Sequence, residues 1–344
     1  MSKKNLKCVF VSLFTATIIL GGIPVYAETE SAPTSSNGDL AEDGGQMGSM
    51  KQGRRGNGLM GGNGPMGGAM SSDSEIQSVL DESADKFEQF SFTDEETGIT
   101  LEYSLYIPED YDDSEEYPLI MFIPDSTGAG LSSSQIVENY YGAAIWASDE
   151  DQEKHASFVL VPAFTETVVD DNWNASEQLD ATVNLINSLT QEYSIDTDRL
   201  YTTGQSMGCM SSLYLNSKYP DLFAASIYVS GQWDISVLGV LENQTFFYVT
   251  AGGDEKASGG QDEVMTLFDN DGVSYSYGTW DAQADEETQD VNVQGLIDEG
   301  NTANMIRFET GTVLNGGNGM EHMASFNYAY KLTAVRDWLF EQTK

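Results

Sequence analysis

Cysteine is almost missing from this chain of 344 residues, which holds only Cys8 and Cys209. Cys8 lies in an N-terminal apolar run, and without that run Cys209 has nothing to pair with. A disulfide-stapled scaffold is thereby excluded, so stability must come from a packed core. Histidine is as scarce: His155 and His322 are the whole supply of imidazole. Positive charge is the third shortage, with 15 Lys and Arg against 55 Asp and Glu. Such a surface repels phosphate backbones and anionic lipid, which argues against nucleic acid as a partner. The acidic excess reads as a solubility device and carries no information about the fold.

Long apolar runs are also lacking, with one exception. Lys3, Lys4 and Lys7 precede an apolar stretch from Cys8 to Pro24, and Val25-Tyr26-Ala27 offers a small-residue cleavage site. This has the form of a secretory signal peptide over residues 1–27, too short for a spanning anchor. The expected mature chain starts at Glu28, is exported and has no membrane span. Losing three lysines leaves 12 basic against 55 acidic residues, a net charge of −43.

Residues 28–73 are poor in large apolar side chains, and "GLMGGNGPMGGAM" (58–70) cannot bury enough surface to offset its ordering entropy. We read this stretch as a disordered Gly/Ser/Met-rich linker. Met47, Met50, Met60, Met66 and Met70 have no histidine or cysteine beside them, so no metal site is read there and no cofactor is expected. Lys51, Arg54 and Arg55 form a small basic spot, read as solvated, with a cell-surface tether as its other reading.

Globular patterning runs from residue 74 to 344. "KFEQFSF" and "ITLEYSLYI" alternate as an antiparallel strand pair should. "YPLIMFIP" (117–124), "SFVLVPAF" (157–164), "DRLYTTG" (198–204), "FAASIYVSG" (223–231) and "QTFFYVTAG" (244–252) are short, apolar runs suited to a buried parallel sheet. Helical patterns over 175–193, 207–218 and around 263–268 separate several of them. A strand "NMIRFET" (304–310) and a final helix over 324–342 complete the pattern. Alternating strands and helices define an α/β sandwich.

One pentapeptide in this frame carries chemistry. "TTGQSMGCM" (202–210) contains Gly204-x-Ser206-x-Gly208 between a buried strand and a helix that stops before Pro220. That context is the one a nucleophile elbow requires. Met210, Leu213 and Tyr214 are expected to face the sheet, and Gly208, Cys209, Ser211 and Ser212 to keep the helix close to it. A serine hydroxyl needs a base. His155 precedes a strand, at the edge opposite the elbow, and reads as a surface residue. His322, in the Gly/Asn-rich loop "NGGNGMEHMASF", can reach the serine. For the acid, Asp254 leaves a buried strand in "FFYVTAGGDEKAS", with Glu255, Asp234 and Glu321 as alternatives. An oxyanion needs two N–H donors. Met207 follows the nucleophile, and the loop "DSTGAG" (125–130) offers Thr127 first and Ser126 second.

The segment 193–231, with its "IDTDRLYTTGQSMG" core and "PDLFAASIYVSG" ending, resembles secreted α/β-hydrolase esterases related to polyhydroxybutyrate depolymerases and prolyl-oligopeptidase-like serine peptidases. The similarity extends to "VLVPAF" with Trp173, "TAGGDE", "EHMASF" and "VRDWLFEQ", covering most of 86–344. The resemblance implies an α/β-hydrolase fold, with Ser206, His322 and Asp254 as triad and ester hydrolysis through an acyl-enzyme. Asp125-Ser126 stands where those relatives have His-Gly, and Cys209 where they have Gly. An Asp125 carboxylate facing the hole would oppose the oxyanion.

The expected activity is hydrolysis of a small-molecule or oligomeric carboxylic ester. A peptidase using the same triad and a non-catalytic binding protein on the scaffold are the alternatives. Trp173 and Trp233 are the expected pocket aromatics. The inserted stretches "SSSQIVENYYGAAIWASDEDQ" and "DAQADEETQDVNVQGLIDEG" are expected to shape the pocket.

Overall fold

A computed structural model describes residues 73–344. The expected signal peptide and nearly all of the expected linker lie outside the described residues. Nine strands form one sheet: β1 (Glu88–Thr93), β2 (Thr100–Tyr106), β3 (Tyr117–Ile123), β4 (Phe158–Ala163), β5 (Ile195–Gln205), β6 (Ala225–Val229), β7 (Phe246–Ala251), β8 (Ser276–Trp280) and β9 (Ala303–Phe308). Their order is β1-β2-β4-β3-β5-β6-β7-β9-β8. β2 runs antiparallel to both of its neighbours, and every other pairing is parallel. The expected mostly parallel sheet with an antiparallel N-terminal edge is therefore the observed one.

Ten α-helices accompany the sheet among the described residues: α1 (Ser74–Ser83), α2 (Ser133–Asn139), α3 (Tyr141–Ala144), α4 (Asp149–Lys154), α5 (Gln178–Glu192), α6 (Met207–Lys218), α7 (Glu255–Asp271), α8 (Glu286–Ile297), α9 (Glu321–Tyr330) and α10 (Thr333–Phe340). Strand periodicity sorts the sheet's side chains into two cores. On β3, Ile120 and Phe122 join one core with Ile136, Trp146, Phe326 and Trp338. Leu119, Met121 and Ile123 join the other, with Leu179, Ile186, Leu213 and Phe268. Among the described residues, no helix is long and apolar enough to cross a membrane.

Several elements differ from expectation. The inserted stretches hold α2, α3, α8 and the first turn of α4. A sequence signal existed for α2, because Ser132 and Gln135 form a reciprocal capping box. β8, "SYGTW", is an edge strand with a central Gly278, too short and too exposed to be legible. The expected terminal helix starts earlier and breaks in two. Leu332 leaves helical geometry (ψ 87°) between α9 and α10. Lys331 there bonds Glu75 of α1 and Asp73 just before it, so long-range contacts override local helix propensity.

Candidate active site

β5 delivers Ser206 to the C-terminal edge of the sheet, and α6 begins at the next residue. Ser206 has φ 53° and ψ −113°, a strained conformation for a non-glycine residue. The strand-to-helix reversal requires its flanking glycines. A Cβ on Gly208 would lie 1.9 Å from the Ile123 carbonyl oxygen, and one on Gly204 would lie 2.4 Å from the Gly208 carbonyl carbon. The Ser206 N–H donates to the Val229 carbonyl at 2.9 Å, which ties the elbow to β6. Behind it, Met210 and Leu213 are buried as expected, but Tyr214 is half-exposed. The helix approaches through Gly208, Cys209, Ser211 and Ser212, all fully covered.

His322 lies in the first turn of α9 rather than in a free loop. α9 is docked onto the sheet by the buried Tyr330 hydroxyl, 3.1 Å from Thr203 Oγ1 of β5. The imidazole rests edge-on against Phe326, and Ser325 Oγ donates to the His322 carbonyl at 2.8 Å. Its Nε2 is 2.8 Å from Ser206 Oγ and its Nδ1 is 2.6 Å from Asp254 Oδ2. With a carboxylate as acceptor, Nδ1 carries the proton, leaving Nε2 to accept from the serine hydroxyl. Asp254 is buried just past β7, and its other oxygen accepts the Ala257 N–H at 3.3 Å, capping α7. One carboxylate therefore orients the imidazole and starts a helix.

The other candidate acids have different work. Asp234 caps the short helix 235–243 through the Ser236 N–H, and Glu255 is exposed in the first turn of α7. Glu321 accepts two backbone N–H groups. His155 sits near the N-terminal end of β4, bonded to Asp337 and stacked on Phe340 of α10. It is half-buried packing rather than a plain surface residue.

The oxyanion assignment changes. The Thr127 N–H donates to Asp125 Oδ1 at 2.8 Å, and the Thr127 hydroxyl bonds the same oxygen. Thr127 is therefore engaged and cannot serve an oxyanion. Ser126 lines the cavity that contains Ser206, as does Met207. The N–H groups of these two residues have no acceptor among the described residues and lie one residue from Asp125 and Ser206 respectively. Asp125 itself is 2% exposed, and its Oδ2 accepts from Gln205 Nε2 at 2.9 Å. Its carboxylate is turned into the fold and links the oxyanion loop to the residue before the nucleophile, rather than facing the hole.

The cavity around Ser206 and His322 has a volume of about 310 Å³. Its walls come from the loop after β4 (Thr167, Val169, Asp170, Asp171), from Met207 and Met210 of α6, from Ser230, Gly231 and Gln232 after β6, and from Lys256. Neither inserted stretch contributes, because both fold into helices that pack elsewhere. Trp173 and Trp233 do not line it either. Trp233 is buried between Trp173 and Tyr214, and Trp173 is 40% exposed with φ 64°. The polar loop "TETVVDDNW" follows β4 at the ligand-bearing edge of the sheet, and that position is the signal that could have revealed these wall residues.

Cys209 is fully buried against Gly231, where an added Cβ would come within 2.7 Å of the Cys209 Cβ. Burial pushes its thiol well above the ordinary range, so the reactive thiolate is suppressed. Folded protein starting at Glu28 should give no reaction with a thiol reagent at pH 8, and one equivalent after unfolding in guanidinium, because it contains this single cysteine. Rapid labelling before unfolding would contradict the packing.

A serine on a strained strand-to-helix turn, bonded through histidine to a buried aspartate at the C-terminal edge of a mostly parallel sheet, defines the α/β-hydrolase class. The particular family follows from comparison with known proteins. The chain belongs to the Esterase family, whose model matches residues 95–291. That span includes Ser206 and Asp254, while His322 lies beyond it. A thermostable esterase of solved structure is 27% identical with a TM-score of 0.57, over 76% of this chain and 64% of its own. The chain thus spans less than two thirds of that relative. A ferulic acid esterase is 10% identical (TM-score 0.49, covering 74% of this chain and 98% of its own). A feruloyl esterase module from Clostridium thermocellum is 12% identical (TM-score 0.48, covering 76% and 90%). No curated protein matches the sequence.

Proposed function

We propose that this chain is an exported serine hydrolase that cleaves carboxylic esters through an acyl-enzyme. The observation that carries the reading is the continuous relay Ser206 Oγ–His322 Nε2 at 2.8 Å and His322 Nδ1–Asp254 Oδ2 at 2.6 Å, opening into a cavity. His322 takes the Ser206 proton as Oγ attacks the acyl carbon. The Met207 and Ser126 N–H groups hold the oxyanion. His322 then gives the proton to the leaving alcohol oxygen, which departs as the carbonyl reforms. Water, activated by the same imidazole, hydrolyses the acyl-Ser206 ester and releases the acid.

Membership of the Esterase family supports the ester substrate. Asp125 is turned inward by its bond from Gln205, so its carboxylate does not speak for the non-catalytic binding alternative. Export rests on the basic and apolar pattern of residues 1–27. The reading is tested by incubating the mature protein with a fluorophosphonate probe and a p-nitrophenyl ester panel. Labelling confined to Ser206, with ester turnover, is expected. A folded protein that neither labels nor turns over an ester would refute it.

A further inference from the structure

Asp254 and His322 arrive on different loops, and the sheet alone does not hold those loops together. β7 and β9 are parallel neighbours in register from Phe246↔Ala303 to Ala251↔Phe308. Their exits emerge side by side, and the last ladder-like bond runs from the Gly252 N–H to the Phe308 carbonyl at 2.8 Å. Asp254 lies two residues past that bond, while His322 lies more than a dozen past it, across the loop 309–320. Tyr330 and the Ser325–Ser230 bond at 2.7 Å dock α9 on the sheet, but neither joins the Asp254 loop to the start of the helix.

Glu321 makes that connection. Its Oε2 accepts the Gly253 N–H at 3.0 Å, and its Oε1 accepts the Gly311 N–H at 2.8 Å. Gly253 precedes Asp254 and Glu321 precedes His322, so the contacts close a ring. It runs from the Glu321 carboxylate to Gly253, to Asp254, across the 2.6 Å bond to the imidazole, and back along the chain. The second oxygen pins the ring to the start of the β9–α9 connection through Gly311. A Cβ on Gly253 would lie 2.0 Å from Glu321 Oε1, so the approach depends on glycine there. Glu321 is absent from the walls of the cavity and so acts through its neighbours rather than on substrate.

We infer that Glu321 is a positioning residue, a carboxylate clamp that sets the geometry of the Asp254–His322 pair. The Gly253 and Gly311 N–H groups each bond a separate oxygen of the carboxylate, and bonds to an ionised carboxylate are stronger than neutral ones. Glutamine supplies one oxygen, and alanine none. The inference rests on the serine-esterase reading for its catalytic consequence, but the clamp can be tested without substrate.

Four proteins decide it: Glu321→Gln, Glu321→Ala, Gly253→Ala and the Glu321→Ala/Gly253→Ala double variant. With p-nitrophenyl acetate, kcat should fall about 10- to 100-fold in Glu321→Ala and less in Glu321→Gln, the scale expected for roughly 1 Å of misplacement. KM should stay within about twofold, because no substrate contact is removed. Gly253→Ala should show a similar loss by displacing the carboxylate. The double variant should be no worse than the poorer single, since the added methyl group occupies vacated space. In each protein the far-downfield proton resonance of His322 Nδ1–H should weaken or shift relative to wild type. That signal needs no turnover, so it tests the clamp even where Ser206 proves inert to ester and probe. An unchanged resonance in folded Glu321→Ala, or in Glu321→Gln should the alanine variant not fold, overturns the proposal. Single losses that simply multiply in the double variant overturn it too.

Discussion

Ser206→Ala should lower kcat for a p-nitrophenyl ester by about 10⁴- to 10⁶-fold while leaving the protein folded, given the effect of removing the nucleophile from a triad that acts as a unit. The reason is chemical rather than structural. Ser206 Oγ has one hydrogen-bond partner among the described residues, His322 Nε2, so its removal leaves no buried donor stranded. The elbow keeps its backbone bond to Val229 and its two glycines. What remains is a pair of oxyanion donors and a histidine able to activate water, which accounts for a small residual rate. Thermal melting alongside the ester assay separates the two effects. Turnover retained in Ser206→Ala would place the chemistry elsewhere in the molecule.

Asp254→Asn should have the second largest effect, about a 10⁴-fold loss in kcat, with melting nearly unchanged. The carboxylate accepts the Nδ1 proton at 2.6 Å, which fixes the tautomer and leaves Nε2 free to take the serine proton. An asparagine that presents its NH₂ group to Nδ1 favours the opposite tautomer, with Nε2 protonated and useless as a base. Its carbonyl oxygen can still accept the Ala257 N–H, and asparagine caps helices about as well as aspartate. Asp254→Ala should lose the same activity and in addition about 1 kcal/mol of stability, the usual cost of removing a cap. Equal melting of the Asn and Ala variants would show that the cap contributes nothing. Near-normal kcat in Asp254→Asn would remove Asp254 from the proposed mechanism.

The parts of this molecule that were legible in sequence share a property. Each depends on residues close together in the chain. The buried strands, the elbow glycines and α6 are local patterns, and the elbow was readable because the close approaches at Gly204 and Gly208 tolerate no side chain. The chain order of serine, acid and histidine was also visible. The parts that were missed depend on where distant segments meet. Sequence puts Thr127 ahead of Ser126 as donor, but the Asp125 carboxylate captures the Thr127 N–H. The tryptophans looked like pocket residues until Trp233 was found packed between Trp173 and Tyr214, outside the cavity wall. The inserted stretches carry helical signals, yet nothing local says which face of the sheet they will cover.

Glu321 illustrates the division. Beside a histidine in a loop, with 55 acids in the chain, it was one candidate acid among several. Composition, periodicity and the Gly-x-Ser-x-Gly motif determined a heavily acidic α/β fold whose one cysteine beyond residue 27 has no partner, with an elbow serine and a histidine suited to serve it. Asp254 already stood first as the acid in sequence; only the tertiary structure decided which N–H groups are free and that Glu321 spans Gly253 and Gly311. The physical reason is range. Side-chain periodicity and glycine sterics act over a few residues, whereas a hydrogen-bond partner is selected by the register of β7 against β9, which no local pattern encodes.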